Sequence, residues 1–375
     1  MASAHPSVPV ELPSGNYNVL IGIGLLARVG EELRRLSESA KAAVVTDSHV
    51  VGLHLQTLED SLKSAGFQTI TATIPAGEQH KTLSMLLPVY DRFLSAKIER
   101  STPILALGGG VIGDMTGFLA ATILRGVPFV QIPTTLLAMV DASVGGKTGV
   151  DHAAGKNLIG AFHQPIAVFA DPQILATLPK TELQGGLAEC IKHDLIRDGN
   201  AFARLDAQIE RALNLDMSAL SELIAHNVAI KARVVEADPF EKGERAHLNF
   251  GHTFGHAIES VSNFSYSHGQ SVALGMCAAS YVSQKLGHIT AGDHQRVVAT
   301  IQKAGLPTGG LKLDTNKVLE TMRFDKKVKG GRIRLVLLES IGRAMIRDDV
   351  QEAVILEAIR SLENPKPETR TTNQI

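Results

Sequence analysis

His252 and His256 stand four residues apart in LNFGHTFGHAIES (Leu248 to Ser260), each directly behind a glycine. Residues at i and i+4 share one face of a helix, so the pair could hold a metal ion, bind an anion or fill a core. A catalytic zinc usually takes three protein ligands and keeps one position open. The segment lacks the glutamate of H-E-x-x-H, which argues against a zincin arrangement. Other donors lie elsewhere: His268 in YSHGQSVALG, just ahead of a helical pattern, and Glu189 in GGLAECIKHD. Glu189 and Lys192 are three apart, so one helix face could present a carboxylate and a cation. A plainer reading stands beside each: a packed or surface histidine, and an ordinary helix ion pair. Spacing alone does not choose which histidines ligate.

Two glycine-rich stretches could meet phosphates. In PILALGGGVIGDMTGF, Gly108, Gly110 and Gly113 satisfy G-x-G-x-x-G between a strand pattern and a helix pattern. A dinucleotide fold of the usual kind carries an acid about twenty residues further on. Here that region is FVQIPTTLL, so the ribose would be read elsewhere, for example by Asp47 after AAVVT. The second stretch, MVDASVGGKTGVDHAAGKNLIG, sets Lys147, Lys156 and Asn157 among glycines, with Asp141 and Asp151 nearby. Lysines beside exposed amides make a cradle for phosphate or carboxylate. The spacing is not that of a P-loop. The plain alternatives are a tight turn and a solvated loop.

The elements that would position these residues change along the chain. AAVVT (42–46), QTITATI (68–74), PILAL (103–107), PFVQI (128–132) and IAVFA (166–170) read as buried strands separated by amphipathic helices. That alternation predicts a mainly parallel sheet with right-handed crossovers. From about Pro172 the patterns turn helical, and only GRIRLVLL (331–338) looks extended. The expected architecture is α/β: a parallel-sheet nucleotide-binding domain over 1–175, a mostly α-helical metal- and substrate-binding domain over 176–363, and a disordered polar tail over 364–375.

Composition excludes several classes of partner. Lys+Arg 37 against Asp+Glu 38 leaves no basic excess for nucleic acid or an anionic membrane. Cys190 and Cys277 form no disulfide framework and fit a reducing compartment. The start, MASAHPSVPV, lacks the pattern of a signal peptide, and SVALGMCAASYVS suits a buried helix better than a membrane span. A soluble, cytoplasmic protein is expected.

These segments together resemble the 3-dehydroquinate synthase family, within the sugar phosphate cyclases. The blocks are GGGVIGD, QIPTTLLAMVDASVGGKTGVD, GKNLIGAFHQP, GLAECIK, LNFGHTFGHAIE, HGQSVALGM and DKKVKGGRIRLVLL, in order over nearly the whole chain. The resemblance implies a metal, usually zinc with cobalt as an alternative, held by Glu189, His252 and His268. His256 would face the substrate instead. Further substrate contacts would be Asp141, Lys147, Asn157, Lys192, Lys231, Arg245, Asn249 and a lysine of DKK, Lys327 in preference to Lys326. Arg125 matches an arginine that reaches a neighbouring subunit's site, which implies a homodimer. NAD contacts would come from Asp47, Glu78, Lys81, Gly109, Gly110, Asp114, Thr134, Thr135, Lys156 and Thr177. His49 departs from the family, which often has Asn there.

The implied reaction converts 3-deoxy-D-arabino-heptulosonate 7-phosphate to 3-dehydroquinate and phosphate, a step of the shikimate pathway. Transient oxidation at carbon 5 by NAD acidifies the adjacent C–H, phosphate leaves, the hydride returns, and an intramolecular aldol closure follows. A cyclase for a substrate without a carboxylate, a polyol dehydrogenase and a non-catalytic NAD-binding protein are the alternatives. Arg245, Lys231 and Asn249 speak against the first, the Lys147–Asn157 loop against the second, and the intact metal and base set against the third.

Overall fold

A computed structural model describes residues 6–241, 243–263, 265–324 and 332–363. The polar tail 364–375, and Lys326 and Lys327, lie outside these described residues. The chain forms two compact units, one of residues 1–186 with 211–245 and one of 187–210 with 246–375.

The first unit carries β1 (Ser7–Val10), β2 (Tyr17–Ile21), β3 (Lys41–Asp47), β4 (Gln68–Ile74), β5 (Ile104–Gly108), β6 (Phe129–Pro133), β7 (Lys147–His152), β8 (Gly155–Phe162) and β9 (Ala167–Ala170). Seven of them make one sheet in the order β1-β2-β9-β6-β5-β3-β4. Only β1–β2 is antiparallel; the other pairings are parallel. All five residues of β5 and of β6 are buried, as expected for central parallel strands covered on both faces. The helices of this unit are α1 (Val29–Arg34), α2 (Gln56–Ser64), α3 (Leu83–Ser95) and α4 (Gly110–Thr122). Two more, α5 (Lys180–Arg197) and α6 (Gly199–Leu213), give residues to both units, and α7 (Met217–Ala237) packs on β1.

The five strands expected from their apolar runs are present, and the expected parallel α/β class holds. The second glycine stretch is different from its reading as a loop: it is the antiparallel hairpin β7–β8. Glycine is required there by backbone approach. A Cβ on Gly149 would lie 2.6 Å from the Ile159 carbonyl oxygen, and one on Gly160 only 2.2 Å from that of Thr148. The same device seats α4. A Cβ at Gly113 would meet Gln131 Oε1 at 2.5 Å, and one at Gly117 would meet Thr148 Cγ2 at 2.3 Å. The third glycine of G-x-G-x-x-G thus serves helix–sheet packing.

The second unit holds α8 (His252–Val261), α9 (His268–Lys285), α10 (Ala291–Lys303), α11 (Thr315–Phe324) and α12 (Glu352–Ser361), with the hairpin β10 (Leu335–Ser340) and β11 (Arg343–Arg347). Glycines bring α8 against α9. Gly251 enters α8 at φ 79°, a left-handed conformation, and a Cβ on Gly275 would sit 2.0 Å from the Gly251 carbonyl oxygen. A Cβ on Gly255 would meet the Ser271 carbonyl oxygen at 2.9 Å. Only glycine tolerates such contact. Ser267 opens α9 with a capping box: its hydroxyl accepts from the Gln270 N–H, and the Gln270 side chain accepts from the Ser267 N–H. That cap fixes His268 as the first residue of the helix. The small-residue run is buried within α9, and among the described residues no helix is long and apolar enough to cross a membrane.

Candidate functional site

In the second unit, Glu189 from α5 meets His252 from α8 and His268 from α9. Glu189 is fully buried, and its Oε1 has no hydrogen-bond partner among the described residues. That oxygen stands 3.6 Å from His252 Nε2 and 3.7 Å from His268 Nε2. Donor atoms about 2.1 Å from a tetrahedral ion lie about 3.4 Å apart, close to what is seen. The three donors lie within 4.8 Å of one another. The remaining contacts orient them. His252 Nδ1 faces the Phe250 carbonyl oxygen at 3.2 Å, so a proton there donates to that carbonyl and leaves the Nε2 lone pair toward Glu189. His268 Nδ1 lies 3.4 Å from Glu259 Oε2. The other Glu189 oxygen accepts from Lys192, which is as buried as the acid. A buried polar atom without a hydrogen-bond partner, flanked by two imidazole nitrogens, is the donor set a divalent cation would satisfy.

The electrostatics put a proton on His268, which holds the charge that a cation would displace. Burial alone would raise the Glu189 carboxyl, but the Lys192 ammonium first, and then protonated His268, hold it well below the ordinary carboxylate range. Burial pushes His252 well below the usual imidazole value against the pull of Glu189, which keeps it neutral. For His268, burial is outweighed by the attraction of the Glu189 and Glu259 carboxylates, and its pKa rises to about 9.

His256 completes a cluster of three imidazoles, with its ring centroid 5.4 Å from that of His252 and 6.2 Å from that of His268. It is not in the triad that converges on Glu189. Asn249 lies in the short helical turn Glu244–Asn249 just ahead of α8. Sequence reasoning did not single out Glu259. The signal was available: His252, His256 and Glu259 stand at i, i+4 and i+7, one face of α8.

The residues expected at NAD all lie in the first unit, and some of them touch one another. Gly109 is the N-cap of α4 and, having no side chain, gives the first N–H groups of that helix no side-chain cap. A Cβ on Gly109 would lie 3.2 Å from Thr135 Cγ2, which places the turn against that threonine. Lys81, 4% exposed, donates to Asp114 Oδ2 at 2.7 Å and to Asn157 Oδ1 at 2.6 Å. Lys156 pairs with Glu78 at 3.5 Å. The Asp151 N–H donates to the Lys81 carbonyl at 2.7 Å, and the Asn157 N–H to Asp151 Oδ1 at 2.7 Å. These contacts tie the β7–β8 hairpin to the Glu78–Thr82 segment and hold Asn157 at φ 54°. Other expected contacts have structural partners of their own. Asp47 Oδ1 accepts from the His49 and Val50 N–H groups, the Thr134 N–H donates to the Gly108 carbonyl, and Thr135 Oγ1 accepts from the Ala138 N–H. Thr177 Oγ1 lies 2.8 Å from His54 Nε2, a histidine that sequence reasoning passed over.

The cations expected at the substrate are also engaged. Lys147 pairs with Glu241, Lys231 with the carboxylate and carbonyl of Asp141. Arg245 is 2% exposed and donates to the Pro239 carbonyl at 2.7 Å and the Gly145 carbonyl at 3.3 Å. It buttresses the turn that leads into β7. Arg125 stands exposed in a turn where Leu124, Arg125 and Gly126 all have positive φ (51°, 65° and 114°). For the two non-glycine residues this conformation costs energy, on the order of 1 kcal/mol each or more.

Two family models match in order. The 3-dehydroquinate synthase N-terminal model covers residues 71–185 and the C-terminal model residues 186–328. The 3-dehydroquinate synthase of Microcystis aeruginosa is 47% identical over 360 residues, 95% of this chain and 98% of its own length. That of Nitrosomonas europaea is 46% identical over 345 residues, 92% of this chain and 93% of its own. Among solved structures, 2-epi-5-epi-valiolone synthase from Streptomyces hygroscopicus, with NAD+ and Zn2+ bound, is similar with a TM-score of 0.86 at 28% identity over 94% of this chain and 98% of that one. A glycerol dehydrogenase from Schizosaccharomyces pombe shares the fold alone, with a TM-score of 0.63 at 16% identity over 92% of this chain and 88% of that one. Both halves of the family model in sequence, and identities near one half over almost the full length, leave one assignment: the chain belongs to the 3-dehydroquinate synthase family.

Proposed function

We propose that this chain is an NAD- and metal-dependent 3-dehydroquinate synthase, a carbon–oxygen lyase acting on 3-deoxy-D-arabino-heptulosonate 7-phosphate. The observation that carries it is the buried Glu189 oxygen between two imidazole nitrogens, in a chain matched over residues 71–328 by this family's models. The similar valiolone synthase holds NAD+ and Zn2+, and a similar 2-deoxy-scyllo-inosose synthase (25% identical, TM-score 0.87, over 95% of this chain and 99% of that one) holds NAD+ and Co2+. Zinc is the ion we assign to Glu189, His252 and His268. A side-chain-free turn at Gly109 and Gly110 and an uncapped helix start suit a pyrophosphate. Asp47, Glu78, Lys81, Asp114, Thr134, Thr135, Lys156 and Thr177 are assigned to the same cofactor.

When bound, NAD supplies a hydride acceptor and later donor, and the divalent ion polarises hydroxyl oxygens. The protein's part is orientation and charge. Lys192 neutralises the Glu189 oxygen that faces away from the imidazoles, which keeps the carboxylate ionised and available. His256, on the ligand face of α8, is assigned to the substrate phosphate. Lys147, Asn157, Lys192, Lys231, Asn249 and Lys327 or Lys326 bind the anionic ends, and Asp141 orients Lys231. Their cations stabilise charge on the departing phosphate, and a substrate phosphate oxygen takes the proton. Arg245 contributes through the Gly145 turn it supports.

Turnover of 3-deoxy-D-arabino-heptulosonate 7-phosphate against a seven-carbon sugar phosphate lacking the carboxylate tests the assignment. We expect kcat/KM at least 100-fold higher for the acid, because buried polar groups left unpaired penalise the neutral analogue. Equal values, or preference for the neutral sugar, would assign a different cyclase.

We also propose a cytoplasmic homodimer in which the exposed Arg125 serves the neighbouring copy's site. Mixing inactive Arg125→Ala and His252→Ala chains then restores activity, since one site of each mixed dimer keeps both residues. No recovery after subunit exchange rules out the shared site.

A further inference from the structure

We propose that Glu259 is a positioning residue for the metal centre: its carboxylate, 3.4 Å from His268 Nδ1, fixes the ring so that Nε2 faces Glu189. This inference rests on the ligand assignment above. Glu259 sits on the same face of α8 as His252 and is 7% exposed, a burial that is costly for an acid unless a partner repays it. His268 is such a partner.

The geometry distinguishes the two histidines. His252 lies within a helix, its Nδ1 held by a backbone carbonyl, so helix and carbonyl orient it together. His268 opens α9, and its side chain is 39% exposed. This ring, at a helix start and with that exposure, has no backbone acceptor among the described residues such as the one that orients His252. Glu259 supplies the acceptor instead, and an acceptor at Nδ1 also fixes the tautomer that leaves Nε2 as the donor atom. The approach depends on the glycine contacts between α8 and α9, which bring Glu259 and His268 together. Orienting carboxylates of this kind typically contribute 10–100-fold to metal affinity.

The test is zinc affinity of the metal-free full-length protein, titrated with Zn2+ against a chelator, for wild type, Glu259→Leu, Glu259→Gln, His268→Ala and the pair Glu259→Leu/His268→Ala. We expect Glu259→Leu to weaken zinc binding by about 10–100-fold and Glu259→Gln, which keeps an acceptor, by less. In the His268→Ala background Glu259→Leu should change affinity by less than about twofold, because the effect runs through that ring. Thermal unfolding of the metal-free forms shows which variants fold; should the Leu variant fail, Glu259→Gln against wild type, with Glu259→Gln/His268→Ala for the coupling, carries the same comparison. Folded Glu259 variants that bind zinc like wild type overturn the proposal, as does an equal loss with and without His268. If His252→Ala and Glu189→Gln also bind zinc like wild type, the ligand assignment itself has failed, and the positioning role with it.

Discussion

His252→Ala is expected to lose stoichiometric zinc and to lower kcat by on the order of 1,000-fold. A Lewis acid contributes several kcal/mol to charge stabilisation, and about 1.4 kcal/mol is a factor of ten. The substitution removes one of three donors and leaves the buried Glu189 carboxylate with Lys192 and His268. His256→Ala, one helical turn further on, should separate from it clearly. Its zinc content should stay at one per chain while substrate affinity falls, since Glu189 Oε1 is approached by His252 and His268. Elemental analysis of the purified variants beside steady-state kinetics reads both quantities. Full zinc with near-normal kcat in His252→Ala would remove that residue from the centre.

Lys81→Met should destabilise the first unit by about 3 kcal/mol, toward the lower end for breaking a buried ion pair. The Lys81 side chain is 5% exposed and that of Asp114 22%, so some water reaches the acid. The substitution leaves Asp114 without its cation and Asn157 without a donor to its Oδ1. Adding Asp114→Asn should recover about half the loss, because the uncompensated charge is gone. The pH dependence has a definite sign. Burial already raises the Asp114 carboxyl above its ordinary value, and Lys81 opposes that rise. Without Lys81 the folded-state pKa climbs further above the unfolded value. Stability is then present below the unfolded pKa and lost as pH rises through the folded one. The deficit should be larger near pH 8 than near pH 5 in urea unfolding. A pH-independent deficit that Asp114→Asn does not relieve would point to lost packing instead.

Much of the fold was legible because it rests on short, continuous apolar runs. Strands β3, β5, β6 and β9 are buried almost throughout, and such strands read as runs dominated by Val, Ile, Leu and Ala. Strand β4, expected to be buried as well, lies at the sheet edge and is largely half-buried or exposed. The β7–β8 hairpin was not legible for the opposite reason. Its glycines serve backbone contact between strands, a property of the pairing that local composition reports as a loop. The site divides similarly. His252 and His256 announce themselves by spacing, but spacing could not separate ligand from neighbour. That depends on Glu189, 63 positions earlier, and on a capping box that places His268. The cations were found as residue types, whereas their acidic and carbonyl partners required coordinates. Glu241 beside Lys147 and the Gly145 carbonyl beneath Arg245 are of this kind.

The central claim is an internal redox cycle in which NAD is returned unchanged. The direct measurement is phosphate release from 3-deoxy-D-arabino-heptulosonate 7-phosphate by the zinc-loaded protein, with NAD far below the substrate and absorbance followed at the NADH band. Many phosphates per NAD with no accumulation of NADH are predicted. NADH appearing one-for-one without phosphate, or no reaction on this substrate at all, would contradict the account.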